Sequence, residues 1–371
     1  MLNPDQDYAV SVIIPCYNHG QFLLEAIASV ENEPEINCQL IVVNDGSTSS
    51  VTLEILDELR SQNYHILDIE NQGLSQARNY GIQHASAPYI LPLDADNKLE
   101  PGFLKAALSI LKLNLRVGVV YGDRCIFGQQ EHRVQMADFS LSRLLLGNYI
   151  DACALFRRQV WIDVGGYDPE IPDQLGYEDW DFWLGAVETG WQFSYLDCIS
   201  FRYRSRPGSM VSSCNLPENR KRLFQYICSK HYRLYGTQFA EIFSTKEAQR
   251  LQALDEVFRY SEALSQAKVE LAITQQERDR NHEENQILRQ QIQVFQSAQY
   301  DVIQVEKETE IETLRKNLRY REDQIQYWKK EHTDVLNELN KLRQIHHEFL
   351  KNRWWRMKAK VGKVFRILVR R

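Results

Sequence analysis

Between Gly236 and Gly362 the chain contains neither glycine nor proline, although its 371 residues include 17 glycines and 10 prolines. All ten prolines lie at or before Pro217. Tight turns need the backbone freedom of Gly or the fixed φ of Pro, so a stretch this long without either does not fold as a second compact α/β domain. It is predicted to be long helix. Length alone would allow roughly two domains or more; the breaker-free stretch reduces this to one turn-rich body, residues 1–240, and an extended appendage.

The appendage has its own pattern. With Ile311 as an a position, the a series is Ile311, Leu318, Ile325, His332, Leu339 and His346, and the d series is Leu314, Arg321, Trp328, Val335, Leu342 and Phe349. Nine of these twelve positions are apolar, which predicts a coiled coil over 245–350. The expected role is to join copies of the chain as a parallel dimer, a homo-oligomer. His332 and His346 read as polar residues that set register rather than as metal ligands. Leu288, Ile292, Phe295 and Val302 keep the same spacing out of frame, so a break is expected near 303–310. Unbroken, residues 246–350 would reach ~160 Å.

The formal net charge of −6 conceals a similar division. Residues 351–371 carry nine Lys or Arg and no acid, which leaves −15 on the first 350 (−6 less +9). Trp354, Met357, Val361, Val364, Phe365 and Leu368 recur at helical spacing among those cations, the pattern of a basic amphipathic helix on an anionic membrane surface. An acidic body without a recognition module argues against nucleic-acid binding. The seven cysteines show no CxxC pair and no zinc-like spacing. The odd count and the acid-bearing start MLNPDQDYAV imply a cytoplasmic setting without a signal peptide. No apolar run reaches the roughly 18 residues of a membrane span.

The body opens with a repeating βαβ pattern. Strands are predicted near Tyr8–Pro15, Gln39–Asn44, His65–Ile69 and Tyr89–Leu93, and helices through Phe22–Val30, Val51–Leu59 and Leu74–His84. The strands are almost wholly apolar, as a parallel sheet covered on both faces requires. This predicts an α/β fold with a mostly parallel open sheet flanked by helices, whose ligands bind at the carboxyl ends of the strands. Polar clusters stand there: Pro15-Cys16-Tyr17-Asn18, Asn44-Asp45-Gly46-Ser47 and Asp94-Ala95-Asp96-Asn97.

A DxD triplet is weak by itself, and it occurs at Asp5-Asp7, Asp94-Asp96 and Asp179-Asp181. Only Asp94-Asp96 directly follows a buried strand, YILPL, at the ligand edge. Two carboxylates there suit a hard divalent cation whose other sites are filled by phosphate and water. Asp45 can accept hydrogen bonds from a base or ribose, Tyr17 offers a flat face, and Arg78 supplies a planar cation suited to phosphate. Trp180, Trp183, Leu184 and Val187 would bury one face of a helix whose first turn carries Glu178 and Asp179. That helix-start position favours an ionised carboxylate.

Taken together, SVIIPCYN (11–18), VVNDGST (42–48), NQGLSQARNYGI (71–82), LPLDADN (91–97), GGYD (165–168), YEDWDFWL (177–184) and YRSRPGSM (203–210) resemble a family 2 glycosyltransferase of the GT-A fold. The resemblance covers about residues 8–215. It implies a nucleotide-sugar donor, usually UDP-linked, bound by Pro15, Tyr17, Asn18, Asp45, Arg78 and Asp94. It implies Mg2+ or Mn2+ on Asp94 and Asp96, with Asp96 the more direct ligand, and Asp179 as general base, with Asp181 as second choice. Transfer of a hexosyl or N-acetylhexosaminyl group to a glycan or lipid-linked acceptor would invert the anomeric configuration. Many relatives place His where this chain has Arg206. Arginine cannot ligate a cation, so Arg204 or Arg206 is expected to contact the diphosphate instead. The competing reading is a coiled-coil scaffold whose transferase-like domain binds nucleotide or glycan without turnover.

Overall fold

The apolar runs SVIIP and LIVVN form two parallel strands, β1 (Val10–Cys16) and β2 (Cys38–Asp45). A computed structural model describes residues 7–33, 35–128, 131–206, 213–214, 216–297 and 304–351. They divide into two units, Met1–Ser244 and Thr245–Arg371. In the first unit, α1 (Gly20–Glu31) leads from β1 to β2, and α2 (Ser50–Ser61) leads from β2 to β3 (His65–Ile69). Helix α3 (Leu74–Gln83) then leads to β4 (Tyr89–Pro92). These four strands are parallel, in spatial order β3-β2-β1-β4.

Beyond β4 the regular alternation of strand and helix gives way to mixed pairing. The chain continues through β5 (Lys98–Leu99), α4 (Phe103–Leu113), β6 (Val117–Gly128) and β7 (His132–Val134). It then forms α5 (Leu141–Leu146), β8 (Leu155–Arg157), α6 (Arg158–Val164), α7 (Glu178–Glu188) and β9 (Gln192–Ser205). In space the order is β4-β8-β6-β9-β5, with β7 paired to β6. β8 runs antiparallel to both β4 and β6, whereas β6 and β9 are parallel. The expected mostly parallel open sheet with flanking helices is present, with antiparallel pairing confined to the short strands β5, β7 and β8. Hairpin and loop connections do not impose the parallel return that a helical crossover imposes.

Both faces of the sheet are covered. Val12 and Ile14 of β1 point to one core with Leu23, Leu56 and Leu104 from α1, α2 and α4. Ile13 points to the other, with Ala77, Val160, Trp180 and Trp183 from α3, α6 and α7. That second core also takes Leu223 and Ile227 of α8 (Pro217–Lys230), which is followed by α9 (Tyr232–Thr237). All seven cysteines are free.

Two long helices follow, α10 (Phe239–Ser297, 59 residues) and α11 (Gln304–Lys351, 48 residues). They are joined by ion pairs Arg289–Glu322, at 2.8 Å, and Glu284–Arg321. The chain between them is too short to return to the start of α10, so these pairs require an antiparallel arrangement. The predicted heptad frame marks the inner face: Ile311 is buried, and Leu314, Leu318, Arg321, Ile325, Trp328, His332 and Val335 are half-buried. Within one chain the two helices form a hairpin, with Asn285 and Ile292 buried on α10, and α11 starts at Gln304, close to the break expected near 303–310. The frame mismatch has the same cause, because α10 and α11 are facing partners that need no common register. Val302, the side chains of Leu339, Leu342, His346 and Phe349, and the basic tail 352–371 lie outside the described residues. Among the described residues no helix is long and apolar enough to cross a membrane.

Candidate active site

The carboxyl ends of β1, β2 and β4 open onto a cleft of about 690 Å³. Pro15 and Tyr17 leave β1 on its wall, and Tyr17 is 46% exposed with its ring on the rim. Asp45, at the end of β2, is buried. Its two carboxylate oxygens accept the backbone N–H groups of Gln72 and Gly73 at 2.8 and 3.0 Å. Asp45 therefore fixes the turn that starts α3. Gly73 has φ +86°, and a Cβ there would collide with Gln174, so the turn admits no side chain.

Arg78 on α3, expected as a cation for phosphate, is already engaged by carboxylates. It is fully buried, donating to Asp94 Oδ1 at 2.8 Å and to Glu178 Oε1 at 2.5 Å. It ties the first carboxylate of the DxD triplet to the start of α7. The second carboxylate, Asp96, accepts from Arg206 Nε at 2.9 Å, and Arg206 also meets His19 Nε2 at 2.6 Å. Burial and the Arg206 charge hold His19 below its ordinary pKa, against the pull of Asp96 and Asp94.

Helix α7 presents Glu178 and Asp179 on its first turn because its other faces are locked in the core. Trp180 and Trp183 are fully buried, and their indole N–H groups donate to the carbonyls of Leu144 and Ile150. Tyr177, which precedes the helix, has φ +72°, a conformation unusual for a bulky residue and concentrated at functional sites. Asp179 accepts from Asn148 Nδ2 at 2.8 Å and from the Trp180 amide at 2.7 Å. The expectation that the helix start favours its ionised form does not hold. Burial and the charges of Glu178 and Asp151 push its carboxyl well above the usual range. Loss of hydration in a carboxylate-rich cleft outweighs the helix end.

Of the residues expected at the site, Pro15, Tyr17, Asp45, Arg78, Asp94, Asp96, Glu178, Asp179 and Arg206 line the cleft. Asn18, Asp181 and Arg204 do not. Asn18 Oδ1 caps the Thr48 and Ser49 amides, clasping two strand-end loops together. Arg204 donates to the Asp96 carbonyl and to Glu25 and lies over the Phe22 ring. Asp181 is 2% exposed, held by Lys230 at 2.8 Å and His231 at 3.0 Å. Its place beneath α7 removes it as a second-choice base. His19, Arg124, Asn148, Asp151 and Tyr203 also line the cleft. Apart from Tyr203, which opens the segment YRSRPGSM, no motif flags them, because each is delivered by packing between distant segments. Only the strand-end position of His19 offered a signal.

The donor chemistry of Asp94 and Asp96 fits a hard cation as a partial cradle. Among the described residues no three His, Cys, Asp or Glu side chains gather to hold an ion, so phosphate and water oxygens must complete the shell. Arg206 would have to leave Asp96 to admit one.

Residues 11–165 match the family model described as "Glycosyl transferase family 2". Chondroitin synthase of Pasteurella multocida (strain Pm70) is 26% identical over 221 residues, which are 58% of this chain and 22% of that protein. The chain thus spans about a fifth of that relative's length. The uncharacterized glycosyltransferase YwdF of Bacillus subtilis (strain 168) is 25% identical over 263 residues, 67% of this chain and 94% of that protein. Among solved structures, S. aureus TarS 1–349 in complex with UDP-GlcNAc aligns at 22% identity and a TM-score of 0.47, covering 55% of this chain and 61% of that one.

Proposed function

We propose that this protein is an inverting glycosyltransferase that moves a sugar from a nucleotide sugar, UDP-linked, to a hydroxyl of a glycan or lipid-linked acceptor. The observation that carries this reading is the meeting of Asp94 and Asp96 with Asp179 in one cleft, joined through Arg78 and Glu178. The base stacks on Tyr17 beside Asp45, and the diphosphate lies at Asp94 and Asp96, where Arg206 turns from Asp96 to a phosphate oxygen. Mg2+ or Mn2+ on these carboxylates would neutralise charge as the diphosphate leaves.

Asp179 takes the proton of the acceptor hydroxyl as that oxygen bonds to the anomeric carbon. The bond from that carbon to the diphosphate oxygen breaks on the opposite face, and one displacement inverts the configuration. Asn148 orients the carboxylate.

The similarity to a chondroitin synthase supports a place in cell-surface polysaccharide synthesis. The basic amphipathic pattern of 351–371 supports work at the inner face of the cell membrane. A scaffold that binds donor or glycan without turnover draws on one observation, that arginines engage both DxD carboxylates. Transfer assays with nucleotide sugars, with and without Mn2+, decide between them. Turnover is expected, and Asp179→Asn should lower kcat by at least ~10³ while nucleotide affinity holds. Absence of transfer and hydrolysis across the donors, with nucleotide still bound, would leave the scaffold.

A further inference from the structure

One charged pair in the cleft has no part in the chemistry above. Asp151, on the loop before β8, stands 3.7 Å from the guanidinium of Arg124 on β6, too far for a hydrogen bond. Its Oδ1 accepts the Cys153 amide. Arg124 lies over the Tyr203 ring, and its Nε is buried without a partner. A buried donor left unsatisfied is costly, and each such group calls for an explanation.

The position of the pair defines that ligand. Asn148, on the same loop, hydrogen-bonds Asp179 at 2.8 Å. Burial and the Asp94 charge hold the Asp151 carboxyl above its ordinary range, so Asp151 lies within the fields of both Asp94 and Asp179. Ala95 and Ala152 line the same stretch and leave room. On the transferase reading, which this inference extends, the transferred ring must lie between the departing diphosphate and the base.

We infer that Asp151 and Arg124 bind hydroxyl groups of the transferred sugar, and that this sugar is uncharged, a neutral hexose or N-acetylhexosamine. A carboxylate accepts from two adjacent hydroxyls, while Arg124 donates to a ring or hydroxyl oxygen. A uronic acid would add an anion beside Asp94, Asp151, Glu178 and Asp179, with Arg78 already engaged by two of these carboxylates.

Calorimetric titration of the full chain with UDP, GDP, UDP-glucose, UDP-N-acetylglucosamine, UDP-glucuronate and GDP-mannose tests this. Wild type should bind a neutral sugar nucleotide in preference to UDP-glucuronate. Asp151→Asn and Arg124→Gln should each weaken that ligand about tenfold with affinity for the free nucleotide unchanged. Unchanged sugar-nucleotide affinity in both variants, equal weakening of sugar nucleotide and free nucleotide, or preference for UDP-glucuronate overturns the inference and leaves the transferase reading standing. Wild-type protein that binds none of these ligands overturns both.

Discussion

The parallel and mixed halves of the catalytic sheet contribute to one cleft by different means. In the parallel half, Pro15, Tyr17, Asp45, Asp94 and Asp96 stand at or just beyond strand ends, so strand order alone carries them to one edge. In the mixed half, Arg124, Asn148, Asp151, Asp179, Tyr203 and Arg206 come from separate strands, loops and a helix. Their meeting depends on packing against Trp180, Trp183 and the β6–β9 pair. The first half sets its residues by backbone geometry, and the second sets them by side-chain packing.

Arg78 joins the halves, so its loss should have the largest effect. Arg78→Met leaves Asp94 and Glu178 without their shared cation. Removing one partner of a buried ion pair costs about 3–5 kcal/mol, and thermal or urea unfolding of the full chain should show a loss of that order. If stability falls by less than about 1 kcal/mol, the halves are not coupled through this residue.

Arg206 reaches back from the mixed half to Asp96 in the parallel half, and its effect should be intermediate. Arg206→Ala should weaken UDP binding in EDTA by about ten- to a hundredfold, the worth of one or two charge-assisted hydrogen bonds. Mn2+ should restore more affinity to this variant than it adds to wild type, because Asp96 is freed. Equal UDP affinity in variant and wild type would remove Arg206 from the diphosphate site.

The smallest effect belongs wholly to the mixed half. His231 bridges Asp181 and Glu188 beneath α7 at 3.0 and 2.8 Å. Burial pulls its pKa down, but the hydrogen bonds it donates to these carboxylates reverse this and leave it raised above 6.5. The folded state thus holds the proton more tightly than the unfolded chain. The resulting stabilisation is complete below about pH 6.5 and is lost as pH rises through the folded-state value. His231→Gln should lower stability by about 1 kcal/mol at pH 6 and by less at pH 8, without changing UDP affinity. A pH-independent loss would assign His231 to packing alone.

Much of the parallel half was legible because its signals are local. Continuous apolar runs, glycines at turns and helical periodicity placed β1 to β4 and α1 to α3 within a few residues of their bounds. The heptad frame likewise marked the inner face of α11. Legibility failed where a polar side chain had to choose a partner. Asn18 and Asp181 stood beside cleft residues in sequence, yet one caps a neighbouring loop and the other faces His231. Spacing shows which residues share an element, not which way a short polar side chain finds its hydrogen bonds.

The absence of Gly and Pro after Gly236 and the alternation of strand and helix before His84 were sufficient to determine a turn-rich α/β body followed by long helix. Both follow from backbone preferences that each residue carries with it. The tertiary structure decided that Arg78 bridges Asp94 and Glu178, that Arg206 covers Asp96, and that α10 and α11 face each other. Those pairings join residues as many as 110 positions apart. Their energies come from burial and charge, which exist only once the chain has closed around them.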